Sequence, residues 1–222
     1  MPIKAIALDL DGTLLDTIAD LAAAANAMRS DFDLPALEQD RLASFVGGGM
    51  AQLVHRSLTD AREGQAEPEQ HAAGITAFCR HYDRLLAVKT RPYPGVVTGL
   101  EAFRSMGLRL AVVTNKPLRF TEPVLAQTGL LPYFDIVLGG DSLPEKKPHP
   151  LPLQTVCQQF GITAAELLML GDSHFDRDAA RNAGAPCLLL DYGYEDVRGL
   201  QCAGIISSLV EAVDFVKNAG SD

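Results

Sequence analysis

Short apolar runs at 3–10, 108–114, 135–138, 167–170 and 185–190, with a weaker one at 204–207, recur along the chain. Each has the length of a strand and few polar interruptions, as expected of strands covered on both faces. Helical patterns fill the intervals at 96–106, 118–128, 151–160 and 176–183. Strand alternating with helix predicts an α/β fold whose parallel sheet carries helices on both faces. Helix-end chemistry agrees. Thr163 with Glu166 and Ser208 with Glu211 fit the capping-box pattern, and Gly107, Gly129, Gly161 and Gly184 fall where helices should stop.

One region breaks the alternation. From 17 to 89 no strand is evident, while Met50, Leu53, Val54 and Leu58, then Phe78, Tyr82 and Leu85, recur at helical spacing. Breaks fall at 31–35 and 64–68. The pattern predicts a helical domain over 17–89, inserted into a discontinuous core of 1–16 and 90–222. Arg91-Pro92-Tyr93-Pro94-Gly95 reads as a stiff linker back to that core.

The 222 residues suit one domain with an insertion, and a 47% hydrophobic content suits a full core. A net charge of -9 argues against general binding to nucleic acid or anionic membrane. It does not argue against one small anion, because a metal and a lysine can reverse the sign locally. Cys79, Cys157, Cys187 and Cys202 are widely spaced with no C-x-x-C, as expected of unpaired thiols in a reducing compartment. The run 3–8 is too short for a secretory signal, and no stretch approaches the ~20 apolar residues of a membrane span. A cytoplasmic protein is expected.

In an open parallel sheet, ligands gather beyond the carboxyl ends of the strands. The first strand runs into Asp9-Leu10-Asp11-Gly12-Thr13, with Asp16 close behind. Carboxylates two residues apart on an extended segment project the same way, and they repel unless a cation or proton intervenes. An EF-hand is excluded, since the glycine stands at the fourth loop position instead of the sixth. The second strand ends in Thr114-Asn115, the third is followed by Lys146-Lys147-Pro148-His149-Pro150, and the fourth ends in Gly171-Asp172-Ser173 with Asp176 beyond. Carboxylates, a hydroxyl, an amide and an amine at four strand ends are the parts for metal-assisted phosphoryl transfer.

These residues resemble the four signature motifs of the haloacid dehalogenase superfamily: Asp9-x-Asp11-Gly12-Thr13, Thr114 with Asn115, Lys147, and Gly171-Asp172-Ser173-x-x-Asp176. The resemblance spans nearly the whole chain, and the helical insertion sits where that family carries a mobile cap. Val46-Gly47-Gly48-Gly49, Thr114-Asn115-Lys116-Pro117, Gly139-Gly140-Asp141 and Tyr192-Gly193-Tyr194 are similar to the bacterial phosphoglycolate phosphatase subgroup. His174-Phe175 departs from the polar residue and Asn often found before the second acid, and the glycine run 47–49 is one residue longer than the pattern.

The resemblance implies a Rossmann-like core, an α-helical cap and Mg²⁺-dependent hydrolysis of a small phosphomonoester, 2-phosphoglycolate first. Asp9 would be the nucleophile and Asp11 the general acid and base. Mg²⁺ would be held by Asp9, the backbone carbonyl of Asp11 and Asp172. Lys147, Thr114 and Asn115 would bind the phosphoryl group. Asp176 would orient a metal-bound water or Lys147, and Asp16 would support the hinge. Amides of the glycine loop, Gly48 among them, would meet the substrate carboxylate, and His55 or Arg56 could face the cleft. The implied partner is a small phosphorylated substrate, with no nucleic acid or membrane, for a monomer or homodimer. A sugar 6-phosphate such as N-acetylmuramate 6-phosphate is the competing substrate. A mutase, or a signalling receiver phosphorylated on aspartate, would draw on the same residue types. A dehalogenase fits less well, because it lacks the acid that Asp11 supplies.

Overall fold

The computed structural model describes residues 2–219. Six parallel strands form the central sheet: β1 (Ala5–Leu8), β4 (Arg109–Val113), β5 (Ile136–Leu138), β6 (Leu167–Gly171), β7 (Cys187–Leu190) and β8 (Gly204–Ile206). Their order is β5-β4-β1-β6-β7-β8, with Leu8 of β1 in register with Val112 on one side and Leu170 on the other. All six expected runs are strands; β6 extends one residue past its expected end to Gly171, and the other five are shorter than expected by one to four residues.

Side-chain alternation divides the core into two layers. Ile6, Leu8, Leu110, Val112, Leu168 and Leu170 face α5 (Val96–Ser105) and α9 (Leu209–Ala219). Ala5, Ala7, Ala111, Val113, Leu167 and Met169 face α7 (Leu151–Phe160) and α8 (His174–Ala183). The α/β architecture with helices on both faces is therefore the observed one.

Between the first strand and the rest of the sheet lie α1 (Ile18–Asp31), α2 (Gln39–Ala43), α3 (Met50–Thr59) and α4 (Pro68–Leu85). They share their own apolar cluster, built on Met28, Phe45, Val54, Phe78 and Tyr82. Phe120 of α6 (Leu118–Gln127) enters that cluster from the sheet side, its ring edge-on to Tyr82 with centroids 5.0 Å apart. The segment read as a linker is more ordered than expected. Arg91–Pro92 forms a short strand, β3, pairing antiparallel with β2 (Leu15–Asp16), so entry and exit of the helical layer are tied together.

Glycines at 107, 129, 161 and 184 adopt positive φ at the ends of their helices. The two expected capping boxes differ in outcome. Thr163 and Glu166 form the reciprocal pair, but on a single 3₁₀ turn, because the apolar run of β6 begins at once. At α9 the Glu211 carboxylate reaches the N–H of Ser207, one residue further back than Ser208. A third box, unexpected from sequence, joins Ser173 to Asp176 and starts α8 two residues early.

Candidate active site

The site lies beyond the carboxyl ends of β1, β4 and β6. After Leu8 the chain curls: the N–H groups of Thr13, Leu14 and Leu15 all converge on the carbonyl of Leu10. The strand therefore stops before the acids, and Asp9 and Asp11 do not share a strand face. Asp9 Oδ1 lies 2.9 Å from Lys147 Nζ. Asp11 instead accepts from Thr17 Oγ1 at 2.7 Å and from Lys116 Nζ at 3.0 and 3.2 Å.

Tight backbone approaches shape the pocket. Gly12 has φ +86°, and a Cβ there would fall 2.3 Å from Asp172 Oδ2. Only glycine both tolerates that φ and lets the loop lie against the carboxylate. Asp172 is otherwise held by Thr13 Oγ1 at 3.0 Å and the N–H of Tyr194 at 2.8 Å. Asp176 divides its oxygens. One caps α8 through the N–H and hydroxyl of Ser173, and the other lies 2.6 Å from Lys147 Nζ.

Carboxylate oxygens of Asp9, Asp172 and Asp176 lie within 4.8 Å of one another, all buried. Burial pushes Asp9 up to about 6, with Lys147 opposing and Asp176 adding to the rise. Burial raises Asp172 as well, reinforced by Asp9 and Asp176. Burial pulls Lys147 down, but Asp176 and Asp9 outweigh it and raise it above its ordinary value. Two of the three clustered carboxylates, Asp9 and Asp176, thus share one ammonium, and Asp172 meets none. The excess negative charge and the hard oxygen donors suit a divalent cation such as Mg²⁺.

Thr114 and Asn115 follow β4, both buried. Asn115 Nδ2 donates to the carbonyls of Lys147 and Gly47, both at 2.9 Å, and so joins the sheet side to the glycine loop. Gly47 and Gly49 line the cleft between α1, α3, α4 and the sheet, together with Asp9, Asp11, Thr114 and Lys116. Gly48 lines a neighbouring cavity, and its carbonyl accepts from Lys146 at 2.7 Å. Arg56 faces away from the cleft, donating to the carbonyls of Arg62 and Phe45. His55 stacks on His71, with centroids 3.4 Å apart. Asp16 accepts from the hydroxyl of Tyr194 and the N–H of Ile18. Phe175 packs on the glycine loop, and His174 pairs with Glu195 at 2.7 Å.

Sequence reasoning left Thr13, Thr17, Lys116 and Tyr194 without roles in the site. A signal existed for two of them: Lys116 follows β4 and Tyr194 follows β7, both at strand carboxyl ends. Partnership across more than a hundred residues, as between Lys116 and Asp11, has no local sequence signature.

Residues 6–190 match the family model described as haloacid dehalogenase-like hydrolase. The phosphoglycolate phosphatase of Thiobacillus denitrificans is 43% identical over 222 residues, covering 99% of this chain and 98% of its own. That of Chromobacterium violaceum is 46% identical over 216 residues, covering 97% of each. Among solved structures, a predicted phosphoglycolate phosphatase from Haemophilus somnus superposes with a TM-score of 0.90 at 33% identity, covering 96% of this chain and 97% of that one. CbbY from Rhodobacter sphaeroides, in complex with phosphate, gives 0.75 at 25% identity and covers 94% and 96%. With the strand-end acids, the lysine and the parallel sheet in place, this chain belongs to the haloacid dehalogenase-like hydrolase family.

Proposed function

We propose that the protein is a Mg²⁺-dependent phosphatase acting on 2-phosphoglycolate through an aspartyl-phosphate. The observation that carries this reading is the cluster of three buried carboxylates, Asp9, Asp172 and Asp176, two of which, Asp9 and Asp176, also meet the ammonium of Lys147. Nearly full-length relatives that bear the phosphoglycolate phosphatase name support the choice of substrate.

Asp9, Asp172 and the backbone carbonyl of Asp11 would hold the metal, which when bound offsets the charge of an incoming phosphate. The Asp9 carboxylate attacks phosphorus, the bond to the ester oxygen breaks, and Asp11 gives that oxygen a proton. Water then attacks the acyl-phosphate while Asp11 takes back a proton, releasing inorganic phosphate and restoring Asp9. Lys147 and the Thr114 hydroxyl steady the phosphoryl oxygens. Asp176 fixes Lys147 through its 2.6 Å contact. Asn115 holds the backbone of Lys147 in place and is a positioning residue.

The division into a core of 1–16 and 90–222 and a cap of 17–89 belongs to the same proposal. The separate apolar cluster of α1–α4 and the paired β2 and β3 support it.

The test is initial-rate measurement with Mg²⁺ across 2-phosphoglycolate, hexose 6-phosphates and N-acetylmuramate 6-phosphate, compared as kcat/KM. The reading expects 2-phosphoglycolate to lead. A leading sugar phosphate would replace the substrate, and no phosphate release from any ester would remove the enzyme reading.

A further inference from the structure

We propose that Lys116 and the hydroxyl of Tyr82 form a subsite that recognises the carboxylate of a phosphorylated hydroxy acid. The proposal deepens the phosphoglycolate reading and rests on it for the identity of the ester.

Among the described residues, Lys116 is the one cationic side chain lining the cleft. Its side chain is 4% exposed, and its Nζ touches both oxygens of Asp11. Nζ also stands over the Tyr82 ring, 4.7 Å from the centroid. The ring is set between Phe78 and Phe120, and the buried Tyr82 hydroxyl meets no hydrogen-bond partner of proper geometry. An unpaired buried donor beside an ammonium is an arrangement that an anionic acceptor completes.

The chemistry of the ester puts such an acceptor there. The proposed mechanism brings the leaving oxygen to the Asp11 carboxyl. In 2-phosphoglycolate only two carbons separate that oxygen from the carboxylate oxygens. A group at hydrogen-bond distance from Asp11 therefore carries its carboxylate to the Lys116 side of the cleft. The cap walls opposite, from Leu21, Val46, Met50 and Leu53, are apolar and offer it no other charge. Tyr82 comes from α4 and Lys116 from the loop after β4, so the subsite exists only with the helical layer closed over the sheet. An alkyl or sugar ester would leave the ammonium with Asp11 alone.

Two measurements on the full-length protein with Mg²⁺ test this. The first compares kcat/KM for 2-phosphoglycolate and ethyl phosphate in the wild type, Lys116→Met, Lys116→Arg and Tyr82→Phe. The preference for 2-phosphoglycolate should fall roughly 30-fold or more in Lys116→Met, chiefly through KM, and only a few-fold in Lys116→Arg and Tyr82→Phe. The second is calorimetric binding of 3-phosphonopropionate, in which a methylene replaces the ester oxygen, against inorganic phosphate. Lys116→Met should weaken the phosphonate roughly 30-fold and inorganic phosphate less than about 3-fold. Equal losses on both esters and both ligands would overturn the proposal, since Lys116 would then serve only Asp11. Selective loss of phosphonate binding in a protein that ignores 2-phosphoglycolate would uphold the subsite and sink the substrate assignment instead.

Discussion

Asn115 reaches from the sheet to the glycine loop: its Nδ2 lies 2.9 Å from the carbonyl oxygen of Gly47. The same nitrogen holds the carbonyl of Lys147 at equal distance. One amide therefore ties the loop before α3 to the backbone of the lysine that faces Asp9. Replacing Asn115 by Ala removes both bonds. With each worth about 1 kcal/mol, kcat/KM should fall by roughly 10- to 50-fold. Hydrogen exchange should quicken over 45–52 while the sheet stays protected. Unchanged exchange there would show that the bond does not latch the loop.

Asp9→Asn should lower turnover on the order of 10⁴-fold or more, as expected when a nucleophile is lost. Its stability should move the other way. The folded protein holds Asp9 up at about 6, so at pH 7 its ionised form is disfavoured by folding. The metal-free variant should therefore melt no lower than the metal-free wild type. Circular dichroism melts with phosphate-release assays check both halves.

Gly12→Ala should destabilise the protein by about 1–3 kcal/mol and reduce activity together. The new Cβ meets Asp172 Oδ2 at 2.3 Å in a backbone conformation alanine resists. Denaturant titration reads the first effect, and kcat/KM the second. A variant with wild-type stability would mean that the loop relaxes freely away from Asp172.

Magnesium should raise the melting temperature, by an amount that grows with the logarithm of its concentration once binding saturates. Asp172→Asn should abolish that rise, because it removes one of the three clustered carboxylates. A full Mg²⁺ response in the variant would place the ion elsewhere.

The stacked pair His55 and His71 should make stability depend on pH near neutrality. Burial, and then the neighbouring His71, lower His55 from its ordinary value of 6.5. The unfolded chain thus binds the proton more readily, so stability is complete above about pH 6.5 and declines as pH falls below it. His71→Gln removes only the smaller cause, the charge repulsion, so the melting-temperature profile between about pH 7.5 and 5.5 should become shallower while the part due to burial remains.

Much of the fold was legible because it follows from local rules. The six apolar runs became strands because a sheet covered on both faces needs continuous apolar sequence, and the helix ends followed their glycines. The strand carboxyl ends located the acids, the threonine and the lysine of the site. Other features depended on distant partners. The curl after Leu8 sends Asp9 to Lys147 and Asp11 to Lys116, although alternation along a strand predicted a shared direction. Gly48 turned its carbonyl to Lys146, leaving the cleft to Gly47 and Gly49.

By itself the sequence determined the α/β class, the strand-free helical stretch between β2 and β3 and the chemical types at the strand ends, since periodicity and turn chemistry act over a few residues. Only the tertiary structure decided which lysine neutralises which acid and which donors remain unpaired in the cleft. Those outcomes depend on charges brought together in a low-dielectric interior by segments far apart in the chain, and no local pattern encodes that distance.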